Sequence, residues 1–291
     1  MTAQAEDQTS DPPFARIAIV GFGLIGGSIA LAARKRWSRT RIIAIDRPEV
    51  VATALRSTAA DDGGDDLGLS AGADLVVLAA PVQTNIRILC ELPHHVSPTT
   101  VVTDVGSTKR HISESARCLR EPAQFIGGHP LAGASTGGLN AARSDLFGEH
   151  PWILTSVGEQ RPIVERVSHF VEGLGARVHF MTPEAHDDAF AYLSHLPQIV
   201  ASALMHVVGE KTGEDGLALA GRGLRDTTRL ASSPADIWRD IALTNRDNLG
   251  PAIDELIAIL VRMKSGGDSI ATTFESAAHW KRILDAGREP A

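Results

Sequence analysis

From Arg16 to about Met181, short apolar runs bounded by turn residues alternate with stretches whose apolar positions recur at helical spacing. Arg16–Val20, Arg41–Ile45, Leu75–Ala80, Val101–Val105, Phe125–Gly127, Trp152–Thr155 and Arg177–Met181 read as buried strands, and Ile29–Ala33 reads as helix. This rhythm predicts an α/β fold built on an extended doubly wound sheet. The stretch from Asp61 to Asp66 interrupts it; lacking the alternating ligand spacing and terminal Glu of a calcium loop, it reads as a solvated connection.

Beyond Thr182 and Pro183 the period changes. Leu196, Ile199, Val200, Ala203, Leu204, Val207 and Val208 recur at helical spacing, as do Ile253, Leu256, Ile257, Leu260 and Val261, while strand-like runs become scarce. The C-terminal third is therefore expected to be all helical. Ala201 and Met205 fill the other side of the first of these stretches, which predicts a helix buried among neighbours or against a second subunit. The expected divisions are a disordered tail over 1–15, a sheet domain over 16–181 and a helical domain over 182–291.

Composition narrows the function classes. A formal charge of −7, with 43% hydrophobic and 22% charged residues, gives no electrostatic reason to bind nucleic acid or an anionic membrane. Met1–Pro13 has neither a basic start nor an apolar stretch of the kind a secretory signal carries, and no apolar run approaches the roughly 20 residues that span a bilayer. A cytoplasmic location is the expectation. Cys90 and Cys118 have no CxxC partner and read as reduced thiols, and no metal site is expected.

The first strand runs directly into Gly21, Phe22, Gly23, Leu24, Ile25 and Gly26 and then into a helical pattern. Gly21 permits a tight turn, Gly23 lets a pyrophosphate approach the backbone, Gly26 lets helix and strand pack, and the helix N-terminus offers free N–H groups. Together these mark a Rossmann-type dinucleotide grip with Gly21, Gly23, Leu24, Ile25 and Gly26 as cofactor residues. Asp46 ends the second strand about 20 residues past Gly26, where a carboxylate accepts ribose hydroxyls and repels a 2′-phosphate; the cofactor is read as NAD. Arg47 is a complication, since it could swing toward a 2′-phosphate, as is the nearby basic run from Arg34 to Arg36 with Arg39 and Arg41; that run reads as a solvated helix end and loop.

Ligands of such sheets sit outside the carboxyl ends of the strands. Ser107 follows one strand and His129 another, each flanked by glycine. A histidine there can take a proton from a hydroxyl while hydride leaves for a nicotinamide, and Ser107 can bond that hydroxyl or the carboxamide. The plainer alternatives are a capping serine and a histidine satisfied by backbone. The helical part adds His186-Asp187, His195 and Gln198, then Arg225 and Arg229, four apart, which can fork onto carboxylates or simply pair with Asp226. A Ser-His-Asp hydrolase is excluded: Ser194 and His195 are adjacent and diverge on a helix, and there is no nucleophile elbow.

The motifs GFGLIGGS, DVGSTK, GGHPLAG, HDDAFAYLSHLP, GRGLRDTTR and WRDIALTNRDN, in that order over residues 16–249, resemble the prephenate/arogenate dehydrogenase family of tyrosine biosynthesis. The resemblance implies a Rossmann domain followed by a helical dimerisation domain, hence a homodimer, and NAD(P)-dependent oxidative decarboxylation of a cyclohexadienol. It makes His129 and Ser107 the catalytic pair, with His129 accepting from the ring hydroxyl and Ser107 also orienting the nicotinamide. Arg229 becomes the carboxylate anchor, His195, Arg225 and Gln198 further substrate residues, and Asp226 an orienting group for the arginines. Gln198 stands where some prephenate-specific members have His, and Ser135 where some have Glu. Prephenate is the expected substrate from the family's bacterial majority, with arogenate as the alternative. Two rival readings are another Rossmann reductase with a helical dimer domain, which usually relies on a lysine there, and a non-enzymatic NAD sensor.

Overall fold

The computed structural model describes residues 11–119, 124–134, 136–155 and 161–286. The sheet half is built from β1 (Arg16–Val20), α1 (Leu24–Arg36), β2 (Arg41–Ile45), α2 (Pro48–Arg56), β3 (Asp62–Gly64), β4 (Leu75–Leu78), α3 (Val82–Glu91), β5 (Val101–Asp104), α4 (Arg110–Ser115), β6 (Phe125–Pro130), β7 (Pro151–Thr155), α5 (Arg161–Gly173) and β8 (Arg177–Met181). Its strand order is β3-β2-β1-β4-β5-β6-β7-β8. β1 to β6 run parallel, β7 turns antiparallel to β6, and β8 is parallel to β7.

Successive residues of a strand point to opposite faces, and β1 shows the result. Ile17 and Ile19 enter a core with Ile29 of α1, Val77 of β4, Trp152 of β7 and Phe170 of α5. Ala18 and Val20 enter the other, with Ile43, Val76, Leu89 of α3 and Ile112 of α4. Both faces are covered, which is why these parallel strands read as continuous apolar runs rather than alternating ones.

Four sequence expectations are corrected here. Asp62-Gly63-Gly64, read as loop, is an edge strand in register with Ile43, Ala44 and Ile45. Phe14, assigned to the tail, is buried at 1% exposure with its ring edge on Phe170, so packing begins before Arg16; residues 1–10 of that tail lie outside the described residues. β6 continues through His129 and Pro130 because β7 pairs with it, placing His129 opposite Ile153. Cys90 and Cys118 form a disulfide: the end of α3 and the turn after α4 bring their Cα atoms to 5.0 Å, a proximity that a 28-residue separation does not reveal.

The remaining chain forms α6 (Pro183–Phe190), a π turn over Ala191–His195, α7 (Leu196–Ala218), α8 (Arg222–Thr227), a 3-10 turn over Arg229–Ser232, α9 (Ala235–Thr244), α10 (Arg246–Lys264) and α11 (Asp268–Ala286). Thr182 caps α6 by accepting from the Ala185 N–H, and Pro183 opens it. The π turn precedes Pro197, which has no N–H to give and whose ring crowds the carbonyl four residues back, so the helical ladder widens there. Within the single chain α7 buries only Gln198 and Ala201, and Val207 is 64% exposed. No helix among the described residues is long and apolar enough to cross a membrane.

The halves meet along the carboxyl end of β5 and the start of α4. Thr108 and Thr244 share a hydroxyl hydrogen bond of 2.8 Å. Asp187 of α6 accepts the backbone N–H groups of Lys109 and Arg110 at 2.7 and 3.0 Å. The Arg110 guanidinium forks onto Asp247 of α10, one of its bonds measuring 2.6 Å.

Candidate active site

The β1–α1 loop carries the features a dinucleotide needs. Gly21 has φ +93°, and a Cβ there would lie 2.5 Å from the Ala79–Ala80 backbone. A Cβ on Gly26 would lie 2.0 Å from the Gly21 carbonyl oxygen, so helix and loop touch only because residue 26 is glycine. A Cβ on Gly23, by contrast, would meet nothing within 4 Å. That open space faces the start of α1, which has no side-chain cap and so keeps its first N–H groups, including those of Leu24 and Ile25, for a ligand. Asp46 stands beside the loop, accepting the Phe22 N–H at 2.6 Å and the Arg47 N–H at 2.7 Å. The residues present fit a pyrophosphate at the helix start and a ribose at Asp46.

Beyond β5, Asp104 and Lys109 form a fully buried ion pair. Asp104 also accepts the Gly106 and Gly128 N–H groups, and the Lys109 ammonium donates to the Gly128 carbonyl at 2.6 Å, so the ends of β5 and β6 are tied together. Burial pushes the Lys109 ammonium below its usual range, against the pull of Asp104. Ser107 lies in the turn between them, half-buried, its hydroxyl without a hydrogen-bond partner among the described residues.

His129 is half-buried at the end of β6, with Nδ1 2.8 Å from His186 Nε2 and its ring 5.1 Å from that of Phe190. Burial, and the neighbouring His186, Lys109 and His195, hold its pKa well below the ordinary histidine value, so its neutral form prevails at neutral pH. His195 is fully buried at the end of the π turn, beside the Ser107 backbone and edge-on to Trp238. Asn245 fixes it: the amide oxygen accepts from Asn248, so the amide nitrogen donates to the Asp187 carbonyl at 2.7 Å and to His195 Nδ1 at 3.1 Å. His195 Nε2 is then a buried donor beside the Ser107 backbone, with no hydrogen bond of good geometry among the described residues. Burial pushes this imidazole down to about 4.

His129, Ser107 and His195 are thus brought together. Gln198 is not free to meet a substrate as the sequence reading had it: its amide donates to the Leu230 carbonyl at 2.7 Å and accepts from Ser233 at 3.2 Å, tying α7 to the turn that carries Arg229. Asp226 likewise does not orient Arg225 or Arg229 but pairs with Arg222 at 3.3 Å. Arg225 and Arg229 are exposed and have no ion-pair partner among the described residues. Ser135 lies outside the described residues. Sequence reasoning noted His186 and Asp187 without giving them a role, because nothing in their spacing links them to His129, 57 positions earlier.

Residues 29–180 match the family model for the prephenate dehydrogenase nucleotide-binding domain, and residues 182–266 that for the prephenate dehydrogenase dimerization domain. The chain belongs to the prephenate dehydrogenase family. It is 38% identical to the prephenate dehydrogenase of Bacillus subtilis over 86% of this chain and 69% of that one. The crystal structure of Aquifex aeolicus prephenate dehydrogenase in complex with hydroxyphenyl propionate and NAD+ superposes with a TM-score of 0.83 at 29% identity, covering 94% of this chain and 96% of that one. Synechocystis arogenate dehydrogenase superposes with a TM-score of 0.73 at 29% identity, covering 93% and 96%. Membership in this family displaces both rivals, the lysine-dependent reductase and the NAD sensor.

Proposed function

We propose that this enzyme is an NAD-dependent prephenate dehydrogenase that converts prephenate to 4-hydroxyphenylpyruvate in tyrosine biosynthesis. The observation that carries this reading is a half-buried His129 at the end of β6, held neutral by burial and set 2.8 Å from His186 of the helical half, in a chain belonging to this family. NAD+ held by Gly21, Gly23, Leu24, Ile25, Gly26 and Asp46 supplies the acceptor for the hydride leaving the ring carbinol carbon.

The chain's own side chains do the rest. His129 Nε2, the ring nitrogen not engaged by His186, takes the proton of the ring hydroxyl, which requires an uncharged imidazole. The ring carboxylate leaves as CO2, and the electron pair of the broken C–C bond enters the ring as it becomes aromatic. Ser107 bonds the same hydroxyl and helps orient the nicotinamide. His195 Nε2, a donor with no hydrogen bond of good geometry among the described residues, receives a substrate oxygen. Arg229 anchors a carboxylate with Arg225 beside it, since a guanidinium keeps its charge at any working pH and binds carboxylates in a fork. Gln198 serves the substrate by holding the Arg229 turn.

The assembly we assign is a homodimer through the helical half. Val207 of α7, Leu260 and Val261 of α10, and Phe274, Trp280 and Leu284 of α11 are each more than half exposed in the single chain, an apolar surface of the kind that marks an interface. The working compartment we assign is the cytoplasm, which holds the nicotinamide pool the reaction draws on, although the Cys90–Cys118 bond is uncommon in that reducing setting.

The test is NADH formation by the purified protein on prephenate and on arogenate, with NAD+ and NADP+ in parallel. Fastest turnover with prephenate and NAD+ is expected. Faster turnover on arogenate assigns the enzyme to the other cyclohexadienol, and faster turnover with NADP+ overturns the role of Asp46.

A further inference from the structure

The reaction as described gives no work to two fully buried titratable groups, His186 and Asp187, that sit against the base. Both lie on α6, whose start is fixed by the Thr182 cap. Asp187 Oδ1 accepts the Lys109 N–H and faces His186 Nδ1 at 2.9 Å, while Oδ2 accepts the Arg110 N–H and lies 3.4 Å from the Arg110 Nε. Burial alone raises a carboxyl pKa; here the bonds from His186, Arg110 and Lys109 outweigh it and keep Asp187 ionised below the usual range.

The direction of each hydrogen bond then follows from the first. An ionised carboxylate only accepts, so His186 Nδ1 carries its hydrogen and Nε2 presents a lone pair. That lone pair is 2.8 Å from His129 Nδ1, which must therefore be the protonated nitrogen, leaving Nε2 of His129 as the acceptor. Ring packing holds the order in place: His186 stacks on Phe190 at 4.4 Å and 16°, and His129 meets His186 edge-on at 5.0 Å.

We propose that His186 and Asp187 are positioning residues that hold His129 as its Nδ1–H tautomer, and that docking of the helical half onto the sheet assembles this chain. The chain starts on the nucleotide-binding half, at the Lys109 and Arg110 N–H groups. It crosses to α6 through Asp187 and His186, and returns to β6 at His129. The base is therefore set in its working form only when the two halves are seated. The proposal rests on the reading of His129 as proton acceptor, but its first test does not.

That test is 15N NMR of the histidine-labelled full-length protein without substrate, with His129 and His186 assigned by substitution. Both rings are expected as Nδ1–H tautomers at neutral pH; an Nε2–H tautomer at His129 overturns the proposal. The second test is kinetic. His186→Phe keeps the stacked ring and removes the acceptor, and should lower kcat by about 10²-fold or more, since a catalytic histidine in the wrong tautomer loses up to ~10⁴. The substrate KM and the NAD+ Kd should stay within about threefold. His186→Gln restores an acceptor near the Nε2 position and should recover at least about tenfold over the phenylalanine variant. A phenylalanine variant within about twofold of the parent, or a glutamine variant no better than it, overturns the proposal. Should either variant fail to fold, the NMR result on the parent protein stands by itself. Failure of the parent to oxidise either cyclohexadienol is a different outcome, counting against the dehydrogenase reading and not against the tautomer.

Discussion

The nucleotide-binding half closes its own cores, whereas the helical half does not. In the sheet half, apolar residues from both faces of β1, β2, β4 and β5 are buried within the single chain. In the helical half, α10 buries only Leu249 and Ala252, α11 buries no residue, and Phe274 and Trp280 are about two-thirds exposed. The first is a self-sufficient scaffold that fixes a dinucleotide loop by backbone contact. The second takes part of its order from what it docks on: the sheet half on one side and, in our reading, a second copy on the other. Our proposal places the chemistry at the seam, where Lys109 and Arg110 grip Asp187 and His129 meets His186.

The contrast is sharpest at the glycine loop. Gly26→Ala forces a methyl onto the Gly21 carbonyl and should cost about 3 kcal/mol or more of stability with loss of NAD+ binding. Gly23→Ala meets open space and should leave the melting temperature almost unchanged while weakening NAD+ affinity. Equal melting temperatures for the two would remove the account of why the loop is built this way.

Arg229 probes the other half. Arg229 is exposed in the single chain, so Arg229→Ala should raise the substrate KM about tenfold, the equivalent of ~1.4 kcal/mol, with the NAD+ Kd unchanged. An unchanged KM places Arg229 on the outer surface.

Acid should act on the seam. His129, His186 and His195 all have folded pKa values below the unfolded value of about 6.5, so the unfolded chain binds more protons as pH falls. Stability is then full above pH 6.5 and is lost as pH falls toward the folded values; for His195, at about 4, the loss is about 3 kcal/mol. Thermal unfolding from pH 7 down to pH 4 checks this, a flat profile contradicting the buried neutral imidazoles. The lowered His129 pKa likewise places the acid limb of kcat/KM below the ordinary histidine value.

Val261→Asp alters an exposed position and should leave the sheet half intact while weakening dimerisation at least about tenfold, about 1.4 kcal/mol, by sedimentation. The smallest effect expected is that of Gln198→Leu, which leaves the Leu230 carbonyl without its donor. It should cost about 1 kcal/mol of stability and raise the substrate KM a few-fold, without changing the preference between prephenate and arogenate.

Most strands were legible because each is an apolar run closed by turn residues. β3 was not, since Asp62, Gly63 and Gly64 offer no apolar side chain and join the sheet through backbone pairing and the Arg41–Asp62 ion pair. The glycine loop and the placing of Asp46 beside it were readable because their spacing is local. The tie between Gln198 and Leu230, the Cys90–Cys118 bond and the contact of His186 with His129 are long-range, and only tertiary packing creates them. Histidine and arginine types pointed to a proton acceptor and an anion anchor, but types do not say which polar groups are already satisfied by a neighbour.

The most direct measurement is the turnover of His129→Asn with prephenate and NAD+, set beside its NAD+ affinity. The account predicts a fall in kcat of about 10²–10⁴-fold with the NAD+ Kd within about threefold of the parent. Turnover near that of the parent would contradict a proton acceptor at the seam.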